Sequence, residues 1–340
     1  MQALLLEETE ARISLQEVPK PSPKLGEALV KVRYASLNHR DQWCRQAMYP
    51  NLKYPSILGS DGAGIVEAVG SIGDINWIGK QVIINPNIAW GENPAYPSPA
   101  YTILGMSSAG TFAEYVCVAT DRLHNIPAHL SLSEASTIPL AGLTAYRAVA
   151  NKGEVSAGKR VLITGIGGGV SQFAMLFSLA FGAEVFVTSG DEQKLAKAQI
   201  LGASFGTNYK TPQWEKSLSK QVPLGFDTII DSSGGESFGS LAKMLALGGN
   251  MVVYGGTAGT PSPLHLPRLF FAQANIKGST MGNDAEFIEM LHLVTQHQIK
   301  PIISSIRPFD EIVSAFDEMH AGKQFGKLVI EMNQRKVLKT

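Results

Sequence analysis

The run ITGIGGGVSQFA carries the clearest chemistry in the chain. An apolar stretch, RVLIT, ends at Thr164; Gly165, Gly167, Gly168 and Gly169 crowd the turn; and a helical stretch opens at Val170. Glycine lets the backbone approach a phosphate closely, and a helix start offers unpaired N–H groups at the positive end of its dipole. The match to GxGxxG is imperfect, because the third glycine position holds Val170 or Ser171. The plainer alternative is a tight turn that needs small residues. Its place between a strand and a helix, with another strand to follow, favours a dinucleotide.

The end of that next strand bears on which dinucleotide. NAD sites usually place an acid about 20 residues after the first glycine, where it binds the ribose 2′-hydroxyl. Here EVFVTS ends in Ser189 and Gly190, with Lys194 a turn further on. A hydroxyl, a small residue and a lysine suit a 2′-phosphate, so NADP(H) is favoured. Asp191 leaves NAD(H) open. The alternative is that Asp191 or Ser189 caps the following helix and Lys194 is solvated.

Composition narrows the remaining classes. With 29 Lys+Arg against 29 Asp+Glu the formal net charge is zero, which argues against nucleic acid or an anionic membrane as the main partner. An apolar fraction of 44% is that of a globular chain. Two cysteines, Cys44 and Cys117, build neither a disulfide framework nor a four-Cys zinc site, and a reduced, cytoplasmic setting is expected. Both read as packing residues. The N-terminus turns acidic at Glu7, Glu8 and Glu10, unlike a secretory signal. Residues 161–187 are apolar for long enough to suggest a membrane span, but Gly165–Gly169 and Gly182 divide them. Strand, turn, helix and strand is the better reading.

The elements fall into two groups. Up to about residue 126, short β-rich stretches such as EALVKVRYAS, GAGIVEAVG and TFAEYVCVA alternate with Gly and Pro. Between them runs a long Pro- and Ser-rich loop holding Trp90, Tyr96 and Tyr101; it either shapes an apolar substrate pocket or packs on another subunit. SLSEASTIPLAGLTAYRAVA has helical spacing. Strand and helix candidates then alternate to about 273, which predicts a parallel sheet covered by helices. From 274 a strand at IKGST, two helices and a closing strand at KLVIE are expected to return to the first domain. The expected fold is α/β, with domains 1–126 plus 274–340 and 127–273.

GSDGAGIVEAVG, GTFAEYV, IPLAGLTAY, VLITGIGGGV and FGKLVI, in that order, resemble the medium-chain dehydrogenase/reductase superfamily. Within it the chain is most similar to the quinone oxidoreductase and zinc-type alcohol dehydrogenase-like members. The resemblance implies a GroES-like, mostly β catalytic domain, a Rossmann domain, a cofactor held between the two and a homodimer. It also places Thr144, Tyr254, Gly255, Gly256, Ser279, Met281 and Lys327 beside the cofactor. The plain reading of Thr144 is a hydroxyl inside a helix.

The chain departs from the family at the metal. Zinc-dependent members carry a ligand Cys, a His-Glu and a further Cys or acid at positions matching Asn38, Ser60–Asp61 and about Leu140. An amide, a serine hydroxyl and a leucine make a poor zinc set, and the loop matching the structural-zinc lobe has no cysteine. His39 reads as a lone polar residue. No zinc is expected.

Without a metal, a reductase stabilises the oxyanion or enolate by hydrogen bonds, an acid or water. Asn38 and Asp41 match the NxxD pattern of zinc-free members, and Tyr49 matches the catalytic tyrosine of zinc-free enoyl reductases. Asn38 is expected to face the nicotinamide or substrate and Asp41 to orient its neighbours. Tyr49 either donates to an enolate or packs the cleft between Met48 and Pro50. The expected activity is reduction of a quinone or α,β-unsaturated carbonyl compound by NADPH. The alternatives are an alcohol dehydrogenase-type carbonyl reductase and a non-catalytic NADPH-binding sensor.

Overall fold

The computed structural model describes residues 1–7, 13–49 and 52–332; Glu8, Glu10 and Pro50 lie outside them. The chain forms two compact units, Met1–Leu140 with Asn283–Thr340, and Ala141–Gly282.

The first unit is built around the strand Glu27–Ser36. It pairs antiparallel with Asp61–Val69, while Tyr115–Ala119 borders its first half and Lys327–Glu331 its last residues. Gln81–Ile84, Leu123–Asn125 and Ile303–Pro308 extend the sheet. Leu29, Val30, Val32 and Ala35 of the central strand are buried, and Phe112 meets Phe316 edge-on at 5.9 Å in the same unit. Ser36 lies opposite both Asp61 and Val329. This register brings the starts of Asp61–Val69 and Lys327–Glu331 to the end of the central strand, where helix His39–Arg45 begins.

The chain's return to this unit is fixed by charge. Both Asp284 oxygens accept from the Arg122 guanidinium, at 2.6 and 2.8 Å, and one also accepts from Asn85. Asn283 and Glu286 form a reciprocal cap at the start of helix Asp284–Gln296.

The second unit is a parallel sheet in the spatial order Phe205–Asn208, Glu184–Ser189, Arg160–Ile163, Phe226–Asp231, Leu245–Val253, Asn275–Gly278. In chain order this is 3-2-1-4-5-6, the doubly wound dinucleotide arrangement, which reverses between Arg160–Ile163 and Phe226–Asp231. Residues 161–187 thus form strand, turn, helix and strand. Among the described residues no helix is long and apolar enough to cross a membrane.

Several elements differ from the sequence expectation. SLSEASTIPLAGLTAYRAVA forms two helices, Leu132–Ala135 and Pro139–Tyr146, then a wider turn over Arg147–Lys152. Pro139 has no N–H to continue the first helix, so it starts the second. The IKGST strand does not return to the first unit: Asn275–Gly278 pairs parallel with Leu245–Val253 and forms the edge of the second unit's sheet. Both boundaries lie further along the chain than 126/127 and 273/274. The Ser136 carbonyl accepts from Ser36 and the Leu140 N–H donates to Asp61, which ties that stretch to the first unit. The long loop has its own ladder, Asn87–Ile88 against Thr102–Ile103. Trp90 is buried there against Tyr101, ring centres 5.1 Å apart, while Tyr96 is exposed.

Candidate active site

Asp61 anchors a buried polar cluster in the first unit. It is fully buried, and four donors meet its carboxylate. Leu140 N–H reaches Oδ1 at 2.7 Å, while Lys327 Nζ, Asn38 Nδ2 and Ser36 Oγ reach Oδ2 at 2.8, 2.9 and 3.0 Å. Lys327, 3% exposed, also donates to Asn38 Oδ1 at 2.6 Å and to the Leu37 carbonyl at 2.8 Å. The three oxygens around the ammonium match its three donors. Asn38 is locked from both ends of its amide, which leaves one Nδ2 hydrogen uncommitted to these partners.

Asp41 Oδ2 accepts from Asn38's own N–H at 2.8 Å, and Oδ1 accepts from Arg40 at 3.3 Å. Burial pushes its carboxyl up to about 6, against the pull of Arg40 and the Asn38 N–H. Arg40, also buried, donates to Ser60, which donates in turn to the Leu104 carbonyl. Burial opposes the Arg40 charge, but Asp41, Cys44 and Tyr49 together raise its pKa. The Tyr49 ring centre lies 5.2 Å from the guanidinium carbon. Among the described residues Arg40 Nε and Nη2 have no hydrogen-bond partner, and the tyrosine ring is the aromatic contact beside the guanidinium.

The remaining polar candidates in this region have quieter roles. The His39 side chain is exposed at its surface, yet the groups packed beside its ring keep water from part of it, and this desolvation, then the charge of Lys327, lowers the imidazole. Burial pushes the Cys44 thiol up to about 12 and Cys117 up to about 11, so neither supplies a thiolate near neutral pH.

In the second unit the glycine turn sits at the sheet's reversal point. Gly165 has φ +63°, a left-handed backbone that glycine adopts without strain. Ser171, at the imperfect third-glycine position, aims its hydroxyl at the Gly165 and Gly168 carbonyls, at 2.7 and 2.8 Å. The hydroxyl thus braces the turn through its carbonyls and spares the N–H groups at the start of helix Gly169–Ala180, including that of Val170. Thr164 donates to Asp231 at 2.7 Å, joining the two strands that flank the reversal.

Asp191 caps helix Glu192–Ile200 through Gln193 N–H and Lys194 N–H. Ser189 is buried at its strand end and its Oγ accepts from Asp191 N–H at 3.2 Å. Sequence reasoning missed Tyr209 and Lys210. A Cβ on Gly190 would lie 2.8 Å from the Tyr209 hydroxyl and 2.7 Å from Lys210 Cε. Glycine is therefore what admits both side chains, and their position in the following strand-to-helix loop hid them from a local motif. Burial lowers the Lys194 pKa, and the nearby positive charges of Lys197 and Lys210 add to that effect. Three lysines, Lys194, Lys197 and Lys210, thus lie near one another, with the Asp191 carboxylate acting against their repulsion.

The structure brings Thr144 to Met281, Oγ1 to Sδ at 3.6 Å. Met281 has φ +42°, a conformation that strains a residue with a Cβ. Tyr254 follows strand Leu245–Val253; burial raises its phenol, so it stays protonated and a donor. Gly255 packs under Ser232, its absent Cβ 2.8 Å from that carbonyl, whereas a Cβ on Gly256 would meet open space. Among the described residues the Ser279 hydroxyl has no hydrogen-bond partner. Lys327, which the resemblance puts beside the cofactor, donates to Asn38 and Asp61.

Two matches to known families cover much of the chain: an alcohol dehydrogenase GroES-like domain over residues 24–128 and a zinc-binding dehydrogenase over residues 169–296. The chain is 36% identical over 339 residues to the zinc-type alcohol dehydrogenase-like protein YogA of Leptosphaeria maculans, covering 94% of each. It is 28% identical over 340 residues to prostaglandin reductase-3 of Mus musculus, covering 93% of this chain and 84% of that one. A crystal structure of an NAD-dependent alcohol dehydrogenase superposes with a TM-score of 0.90 at 32% identity, covering 98% of this chain and 100% of the other. The chain belongs to the medium-chain dehydrogenase/reductase superfamily, a family of oxidoreductases that use nicotinamide cofactors.

The zinc in one family description does not fit these residues. An amide, a hydroxyl, one carboxylate and a leucine stand at the matching positions, and an ammonium already bonds two of them. Among the described residues no three His, Cys, Asp or Glu side chains gather as a metal site.

Asp41 gives the cluster a pH signature. A carboxyl raised from 3.8 to about 6 holds its proton more tightly in the folded chain than in the unfolded one. Its contribution to stability is full below pH 3.8 and is lost as pH rises through 6. Asp41→Asn removes that titration. Between pH 4 and 7 the wild type is expected to lose on the order of 2–3 kcal/mol relative to the variant. Urea unfolding across the range measures it, and parallel curves for the two proteins would refute it.

Proposed function

We propose that the protein is a metal-independent, NADPH-dependent reductase of quinones or α,β-unsaturated carbonyl compounds. The observation that carries this reading is the buried Lys327–Asn38–Asp61 set, which puts a fixed ammonium and an oriented amide where a metal enzyme needs open ligands. The nicotinamide, when bound, supplies the hydride. This chain's residues do the rest. The N–H groups after Gly165–Gly169 take the pyrophosphate, and Ser189, Lys194, Tyr209 and Lys210 take the 2′-phosphate. Thr144, Tyr254, Gly256, Ser279 and Met281 line the path of the ribose and nicotinamide. The remaining Asn38 N–H and the Tyr49 hydroxyl donate to the oxygen that gains charge. Asp61 and Lys327 keep Asn38 in place, and Asp41 holds the turn into its helix.

The relatives support reductase chemistry in general, since one is named a prostaglandin reductase and others alcohol dehydrogenases. The alcohol dehydrogenase names favour a second reading, a carbonyl reductase of that type. Stoichiometric zinc together with alcohol turnover would replace the first reading with the second. NADPH binding without turnover on a panel of quinones and enones would leave the sensor.

Lys194→Ala and Lys210→Ala should each raise the KM for NADPH about tenfold or more, as expected for lost charged hydrogen bonds, with little change for NADH. Equal effects on both cofactors would remove the 2′-phosphate assignment. Tyr49→Phe should lower kcat on an enone by about 100-fold with NADPH affinity intact; unchanged turnover would leave Tyr49 as packing.

The same reading includes a homodimer. Asn275–Gly278 is an edge strand, and Ile276, Phe270, Phe271 and Leu247 in this unit are exposed. Such an edge with an apolar border suits a second copy. The wild type should sediment as a dimer and Ile276→Lys as a monomer; a monomeric wild type would end the proposal.

A further inference from the structure

The Lys327 ammonium is enclosed by three oxygens from three kinds of group: the Leu37 carbonyl, the Asn38 amide and the Asp61 carboxylate, at 2.8, 2.6 and 2.8 Å. All the side chains involved are nine-tenths buried or more. The arrangement is a cation site whose cation is covalently attached to the chain. A buried carboxylate without a countercharge is strongly unfavourable. Lys327 begins the strand Lys327–Glu331, Asp61 begins Asp61–Val69, and Asn38 precedes helix His39–Arg45. The ammonium therefore joins all three, bonding both Asn38 and Asp61 while Asn38 and Asp61 also bond each other. By donating to Asn38 Oδ1 it also polarises the amide, which strengthens the opposite N–H as a donor.

We propose that Lys327 is the resident cation of this site, and that it acts as a positioning residue which holds and polarises Asn38 and keeps small cations out of the oxygen cage. The part concerning Asn38 rests on the proposed reductase reading; the cation cage does not. Cutting Lys327 back to alanine then opens a cage that a small primary ammonium can refill.

The experiment compares wild type, Lys327→Ala and the double variant Lys327→Ala/Asp61→Asn, each as the full chain. Loss of one partner of a buried pair should lower the Tm of Lys327→Ala by about 10 °C. Propylammonium chloride should recover most of that loss, whereas sodium chloride at equal ionic strength should not. The wild type and the double variant should not respond to propylammonium. The double variant should also be more stable than Lys327→Ala, because it buries no unpaired charge; this comparison decides the matter if the single variant is recovered only as aggregate. With an enone and NADPH, Lys327→Ala should lose about 10–100-fold in kcat, the usual worth of a group that orients a reacting residue. NADPH KM should be unchanged, and propylammonium should restore part of kcat. An unchanged Tm in Lys327→Ala, rescue by sodium equal to that by propylammonium, or a double variant no more stable than the single one overturns the cation cage. Stoichiometric zinc in the wild type, displaced by none of these changes, overturns it as well. Thermal rescue without any catalytic effect overturns only the positioning role, and no turnover in the wild type overturns the reductase reading while leaving the cage intact.

Discussion

A carboxylate removed from water must be surrounded by donors, and the first unit is organised around meeting that need at Asp61. Its four partners come from the central strand, the turn before helix His39–Arg45, the closing strand and the start of helix Pro139–Tyr146. Those elements are far apart in sequence, so the burial of one charge fixes how the chain's beginning and end meet. The attraction between Lys327 and Asp61 offsets a large desolvation cost without guaranteeing net stability. What the pair supplies is a defined arrangement, since four donors from four separate segments converge on one carboxylate.

The second unit solves a different problem, keeping N–H groups available at the end of a parallel strand. Ser171 bonds carbonyls of the turn rather than competing for its donors. Thr164 and Asp231 tie the two strands at the reversal, so the turn projects from a rigid sheet. A few residues along, Gly190 leaves room for Tyr209 and Lys210, and the cationic cluster forms beside Ser189. The first unit thus gathers buried oriented donors around Asp61, and the second keeps N–H groups free beside its glycine turn.

Much of this was legible in the residues alone. The strand, glycine turn and helix at 160–180 announced themselves by composition, because a parallel strand buried on both faces must be apolar and a phosphate turn must be small. The misplacement of IKGST has an equally plain cause. An edge strand of the parallel sheet and a strand of the returning segment have the same composition, and only pairing distinguishes them. SLSEASTIPLAGLTAYRAVA has continuous helical spacing, and Pro139 alone marks the break between its two helices.

What the sequence determined by itself is the set of local structures and the residue types available: the alternation that makes the doubly wound sheet, the glycine turn, and the lack of soft ligands where zinc-dependent relatives have them. Those follow from short-range physics, in periodicity, turn propensity and ligand chemistry. Only the tertiary structure decided that Lys327 belongs with Asn38 and Asp61, that Arg40 stacks beside Tyr49, and that Lys210 joins Lys194. Each of these pairings depends on strand register or loop packing between distant segments. The cost of burying a charge selects among such pairings only once the backbone has brought the candidates within a few ångströms of one another.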